Sequence, residues 1–287
     1  MRVVVLGKSG QVAQSLQGLA SKDHQIVSMG RDTLDLATST NLLAPISAQK
    51  PDAIINAAAY TAVDQAETDA TSAMALNNHA VAKLGNVAEI LDVPLVHIST
   101  DYVFEGCGDR PWAPDDVTQP LGAYGRSKLA GETALIEGAS RFAILRTSWV
   151  FSAFGSNFVK SMIRLGKERD TLSIVNDQIG GPTAASDIAS SCIAIAMKML
   201  SDRSLKGVWH FAGRDDCSWA DFATEIFALS GIDCAVTPIP SSEYPTPAQR
   251  PLNSRLDCTT TERDFGITRP YWRESLKSVL QDLGELS

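Results

Sequence analysis

Over the first 150 residues, short apolar runs alternate with stretches of helical character, and this rhythm limits the possible folds more than any other feature. "RVVVL" (2–6) reads as a buried strand, "QVAQSLQGLA" (11–20) as a helix and "QIVSM" (25–29) as a second strand. "DAIINAA" (52–58) follows as a third, then a long helix around 70–91, then "PLVHIST" (94–100) as a fourth. A helix opened by Tyr124 precedes "RFAILRTSWVF" (141–151), a fifth. Strands that alternate with helices require right-handed crossovers, so the expected class is α/β with a doubly wound parallel sheet.

Beyond residue 150 the rhythm loosens. A helix near 155–168, a short strand "LSIV", the helix "ASDIASSCIAIAMKML" and a strand "GVWHFAG" lead to a helix near 218–230. The stretch "PIPSSEYPTPAQRP" holds five of the thirteen prolines and reads as an irregular ordered loop. A final helix is expected near 272–283. This pattern suggests a main domain over 1–150 with a returning segment at about 184–211. Residues 151–183 and 212–287 would form a smaller C-terminal lobe, with a ligand cleft between the two at the carboxyl ends of the strands.

Bulk properties remove several classes of partner. A net charge of −8 and a pI near 5.0 argue against a nucleic acid or an anionic membrane. No run approaches the length of a membrane span, and "MRVVVLGKSG" is too short and too soon broken by glycine for a signal peptide. The five cysteines form no CxxC pair, which fits free thiols in a reducing cytoplasm.

Chemistry concentrates where strands give way to helices. Gly7 and Gly10 sit between the first strand and the first helix, with Ala13 where a third glycine could stand. Such a turn lets backbone approach a pyrophosphate on the helix N-terminus, so a dinucleotide is expected here. At the end of the second strand, an acid would grip a ribose diol and an arginine a 2′-phosphate. Gly30 and Arg31 stand there, followed by Asp32, which could pair with Arg31 or bond the ribose itself. "NAAAYT", with Ala58 and Ala59, offers small side chains for a flat ligand or for tight sheet packing.

"STDYVF" closes the fourth strand and "AYGRSK" opens the next helix, so Thr100, Tyr124 and Lys128 would converge over the cleft. Ketone reduction leaves an alkoxide that must gain a proton. Tyr124 would donate it, with the Lys128 ammonium pulling the phenol down from its usual value near 10. Thr100 would polarise the carbonyl through a hydrogen bond. Other residues read as structural. Trp112, Trp209, Trp219 and Trp272 look like packing aromatics, His97 and His210 like satisfied core histidines, and nothing near Cys107 would activate it.

"GKSGQVA", "NAAAYTAVDQAE", "STDYVF", "YGRSKLAGE", "RTSWVF" and "NDQIGGPT" together resemble the extended short-chain dehydrogenase/reductases, over nearly the whole chain. The resemblance implies a Rossmann-like fold and reduction of a keto group on a nucleotide-bound sugar. NADPH would be the cofactor, with NADH also accepted. It places Gly10, Gln11 and Val12 at the pyrophosphate, beside the turn made by Gly7, and Asp35 and Leu36 by the adenine, while Arg31 at the end of the second strand would take the ribose phosphate. Ala58, Ala59, Tyr60 and Thr61 would line the cofactor, which Tyr124 and Lys128 also touch. Asp101 and Trp149 would meet the sugar with Thr100, and Arg250 the nucleotide diphosphate.

Ser15 replaces an acid that joins a magnesium-bound dimer contact in some members, so no metal is expected and the chain would be a monomer or homodimer. Related dehydratases carry Thr-Asp-Glu where this chain has Tyr102 after Asp101. The remaining alternatives are a non-catalytic, NADP-binding regulatory subunit of the same fold and another nucleotide-sugar ketoreductase or epimerase.

Overall fold

A computed structural model describes all residues from Met1 to Ser287. Its centre is a six-stranded sheet, parallel throughout. The strands are β1 (Arg2–Leu6), β2 (Gln25–Met29), β3 (Ala53–Asn56), β4 (Leu95–Thr100), β5 (Phe142–Thr147) and an edge strand, Gly207–His210. From that edge inward the order is Gly207–His210, β5, β4, β3, β1, β2. Successive strands are added outward in opposite directions from the β1/β3 pair, which creates the crevice at the carboxyl ends where open α/β sheets take ligands.

The strands are apolar along their length because both faces are covered. Val4 and Leu6 of β1 point into one core with Ile54, Leu84 and Leu135, and Val3 and Val5 point into the other with Leu16, Ile188 and Ile195. Helix α1 (Gln11–Gly18) and the returning helix Ala185–Ser201 cover the second face. A separate cluster around Phe151, Val159, Phe222, Trp272 and Leu276 forms the core of the remaining elements. No helix is long and apolar enough to cross a membrane.

Three expectations needed revision. "RFAILRTSWVF" is not one strand: it breaks after Thr147 and resumes only for Val150–Phe151. Trp149 lies at φ +49°, a left-handed conformation that a bulky residue adopts only when its surroundings hold it there. The Ser148 hydroxyl donates to Gly181 O at 3.0 Å, and Trp149 O accepts the Thr183 N–H at 3.2 Å.

The 70–91 helix carries a π turn, Ala75–His79, between Ala70–Met74 and Ala80–Leu91. Asn77 inside it is fully buried and bonds Tyr60 N, Tyr60 O and Ser127 Oγ, so the bulge turns an amide onto two neighbouring segments. Finally, the proline-rich stretch begins inside a strand, Ala235–Ile239, which pairs in parallel with Thr171–Val175. Pro238 is tolerated there because the strand is an edge of a two-stranded ribbon.

Candidate active site

Gly7 turns the chain from β1 toward α1 at φ +113°, and a Cβ there would meet the Ala57 carbonyl carbon at 3.3 Å. No side chain caps α1, and a Cβ on Gly10 would have no protein atom within 4 Å. The leading amides of α1 therefore open onto free space, as a phosphate group requires.

That space is a trough made of two cavities sharing Ser9, Gly10 and Ala57–Ala59. The first, about 480 Å³, is walled by Gly10, Gln11 and Val12 on one side and by Ala58, Ala59 and Thr61 on another. Thr100, Asp101, Tyr124, Lys128 and Trp149 complete it. The second, about 1050 Å³, takes in Gly7, Arg31, Asp35, Leu36 and Tyr60. Every residue expected at the site lies along this trough except Arg250. That guanidinium lines neither cavity; Asp64 holds it through contacts of 3.0 and 2.7 Å, and it also donates to Ala248 O.

Thr100 ends β4 and caps the turn Asp101–Val103, accepting the Tyr102 N–H at 3.2 Å and donating to Asp101 Oδ1 at 3.1 Å. Tyr124 is the second residue of the helix Ala123–Gly138. Its neighbour must be glycine: a Cβ on Gly125 would come within 2.2 Å of Tyr102 O. That close approach seats the helix on the turn and sets the Tyr124 ring edge-on to Tyr102, with centroids 5.6 Å apart. Lys128, one helical turn later, is 1% exposed and donates from Nζ to Ile98 O at 2.8 Å.

Burial pushes the Tyr124 phenol well above its ordinary value; the Thr100 hydroxyl opposes this and the Asp101 carboxylate adds to it. The expected lowering by Lys128 is not present in the protein's own groups. The amine is turned toward Ile98 O and His97, and desolvation dominates the phenol. Burial lowers Lys128 itself to about 8, against the Glu132 charge that favours the ammonium. Burial also raises Asp101 to about 6, against the nearby Ser254 hydroxyl and the bond from Thr100. Its Oδ2 is buried without a partner, an unusual state for a carboxyl oxygen and one that suits a ligand hydroxyl.

At the end of β2, Asp32 pairs with Lys8 of the turn between β1 and α1 at 2.5 Å, not with Arg31. The Lys8 contact holds the Asp32 carboxyl below its usual range. Arg31 is thereby left to face the second cavity without that carboxylate. Gln11 is more committed than expected, since its Oε1 accepts from Ser152 Oγ at 2.8 Å and from Asn157 Nδ2 at 3.0 Å. Ser15, where an acid was absent, closes on Gln11 O of its own helix.

Several supporting residues escaped the sequence reading. Trp219 stacks on Trp149, centroids 3.6 Å apart and rings 10° from parallel, and its Nε1 donates to Gln178 Oε1. One face of Trp149 is thus already covered. Glu132 and Arg146 form a buried ion pair behind Lys128, with Ser99 Oγ also on Glu132. The spacing of Lys128 and Glu132, four apart on one helix, was an available signal. Asn77 and Trp219 gave none, because their partners are far away in sequence.

Fold and trough together define a class: a doubly wound α/β protein with an extended trough across its strand ends and a phenol and a buried amine at one end of it. The chain belongs to the family described as the RmlD substrate binding domain, whose model matches residues 1–285. It is 45% identical over 286 residues to a dTDP-4-dehydrorhamnose reductase of Sinorhizobium fredii, covering 98% of this chain and 97% of that one. A solved dTDP-4-dehydrorhamnose reductase from Clostridium acetobutylicum superposes with a TM-score of 0.92 at 36% identity, over 99% of this chain and 100% of that one. Another, from Bacillus anthracis in complex with NADP, gives 0.91 at 34% identity, over 98% and 99% of the two chains.

Proposed function

We propose that this protein reduces the 4-keto group of dTDP-4-dehydrorhamnose to give dTDP-rhamnose, using NADPH and, less well, NADH. The observation that carries this reading is one cavity lined by Thr100, Asp101, Tyr124, Lys128 and Trp149 and continuous with the open end of α1, in a chain so similar to reductases of that name.

The trough fits a dinucleotide: Gly10, Gln11 and Val12 at the pyrophosphate, Ala58, Ala59, Tyr60 and Thr61 along one wall, Asp35 and Leu36 at the adenine. When bound, the reduced nicotinamide supplies hydride to the ketone carbon. Tyr124 gives the ketone oxygen its proton; a phenol raised by burial stays protonated through the neutral range, which is the form reduction consumes. Thr100 turns its hydroxyl from Asp101 to the same oxygen. Lys128 holds the cofactor ribose and contributes positive charge. The free Oδ2 of Asp101 takes a sugar hydroxyl, and the uncovered part of Trp149 packs on the deoxyhexose.

On this reading residues 1–150 with 184–211 hold the cofactor, and 151–183 with 212–287 hold the sugar, in the cytoplasm. The test is loss of NADPH absorbance with dTDP-4-dehydrorhamnose set against other keto nucleotide sugars. Absence of oxidation with that substrate, or equal rates with all of them, refutes the assignment.

A further inference from the structure

Lys128 has a second neighbour whose hydrogen-bond inventory does not suit an ammonium. His97 lies on β4 opposite Asn56 of β3, and both are buried. Asn56 Oδ1 accepts the backbone N–H of Ala58 at 3.2 Å, and a backbone amide can only donate. The orientation of the Asn56 side chain follows, so its NH₂ group faces His97 Nδ1 at 3.0 Å. An NH₂ group offers only protons, so Nδ1 must present its lone pair.

Burial first, and the Lys128 charge second, hold His97 well below the ordinary histidine range. The ring is neutral with a single N–H, which is therefore on Nε2. Nε2 lies 3.3 Å from Lys128 Nζ. A neutral amine has a lone pair to accept that N–H; an ammonium has none, and two donors then face each other. Ile98 O accepts from Nζ in either state and keeps the amine in place.

The other groups around the amine are accounted for. Tyr124 and Glu132 flank it on its own helix, Asp101 follows β4, and Arg146 of β5 is already paired with Glu132. Burial opposes the ammonium and Glu132 favours it; a His97 N–H 3.3 Å away would add to the opposition.

We propose that His97, locked by Asn56 with its Nε2–H toward Lys128, is a positioning residue that biases the Lys128 amine toward its neutral form. It thereby sets the pH above which the site loses its cation. The other buried histidine supplies an internal control. His210 Nδ1 lies 3.0 Å from Trp112 O, an acceptor, and its Nε2 lies 3.5 Å from the Arg146 guanidinium, a donor. His210 must therefore carry its proton on Nδ1, the opposite tautomer.

The functional consequence rests on the role of Lys128 proposed above, but the lock itself can be tested without turnover. NMR of isotope-labelled histidine in the wild-type protein reads the ring nitrogens directly, with only four histidines to assign. His97 is expected to be protonated at Nε2 and His210 at Nδ1. Asn56→Asp keeps an acceptor for Ala58 but presents another to Nδ1, so the His97 tautomer should reverse and Nε2 should accept from the ammonium. The Lys128 titration, followed by NMR of labelled lysine, should then rise by about one to two pH units or more, through the reversed hydrogen bond together with the added carboxylate charge. The alkaline limb of the kcat profile should move with it. An Nδ1–H tautomer at His97 in the wild type overturns the proposal, and so does an unmoved Lys128 titration in a folded Asn56→Asp protein with a reversed tautomer. If the tautomer and the titration behave as expected but no keto sugar is reduced, the proposed function fails and the lock stands.

Discussion

Replacing Glu132 by glutamine tests whether the ion pair behind the site behaves as a buried one. Its side chain is fully buried and that of Arg146 is 4% exposed. Arg146 reaches the carboxylate through Nε at 3.0 and 3.2 Å and through its terminal nitrogen at 2.6 Å, and Ser99 Oγ donates to it at 2.5 Å. Glutamine keeps one acceptor oxygen and nearly the same volume, so packing and the Ser99 bond survive. What is lost is the charge that balances a guanidinium whose other neighbours are Pro114 O at 3.1 Å, the neutral His210 Nε2 at 3.5 Å and the Phe104 ring at 5.0 Å. Leaving one member of a buried pair uncompensated costs about 3–5 kcal/mol, a large part of the roughly 5–15 kcal/mol that holds a domain folded. In urea this should lower the unfolding midpoint by about 1 M or more, followed by tryptophan fluorescence. Adding Arg146→Met removes the orphaned cation and should recover most of the loss. The exposed pair Arg164–Glu168 is the control, with side chains 62% and 54% exposed; Glu168→Gln should cost less than about 0.5 kcal/mol. A Glu132→Gln protein within about 1 kcal/mol of wild type would show that the pair is solvated and refute the reasoning.

Four further outcomes are expected. Tyr124→Phe should lower kcat by roughly 10²–10⁴ while NADPH binding barely changes, and near-normal turnover would remove Tyr124 as the proton donor. Trp149→Ala should raise KM for the nucleotide sugar and leave the NADPH Kd alone; an effect confined to NADPH would show that Trp149 serves the cofactor instead. Arg31→Ala should erase most of a ten- to hundredfold preference for NADPH over NADH, the size of a charge-assisted contact of about 1.5–3 kcal/mol. A variant that keeps its preference assigns the phosphate to another cation. Asp101, raised from 3.8 to about 6 in the folded protein, binds its proton more tightly there than in the unfolded chain. Its stabilising contribution is full below about pH 4 and is lost as pH rises through 6, a change of at most about 3 kcal/mol. Asp101→Asn should flatten the urea-stability profile across that window, and an unchanged profile would mean that Asp101 ionises normally.

The strand rhythm of the first 150 residues specified the sheet because apolar runs of strand length, separated by helical stretches, leave few other ways to bury both faces. The glycines between β1 and α1 and the positions of Thr100, Tyr124 and Lys128 were equally legible, since a strand end and the helix start after it are fixed by the chain itself. Local sequence carries no record of distances between segments, and that is where the reading stopped. Trp149 was placed at the cleft, but its left-handed backbone and the Trp219 ring over one face come from residues 148 to 219 meeting in space. Arg250 belonged to the right motif, yet Asp64, 186 positions earlier, holds it outside the trough. The electrostatics changed most. A tyrosine and a lysine one helical turn apart suggested a phenol lowered by an ammonium. Burial instead raises the phenol and lowers the amine, because desolvation at this depth outweighs the help from neighbouring charges, and depth is a property of the packed chain.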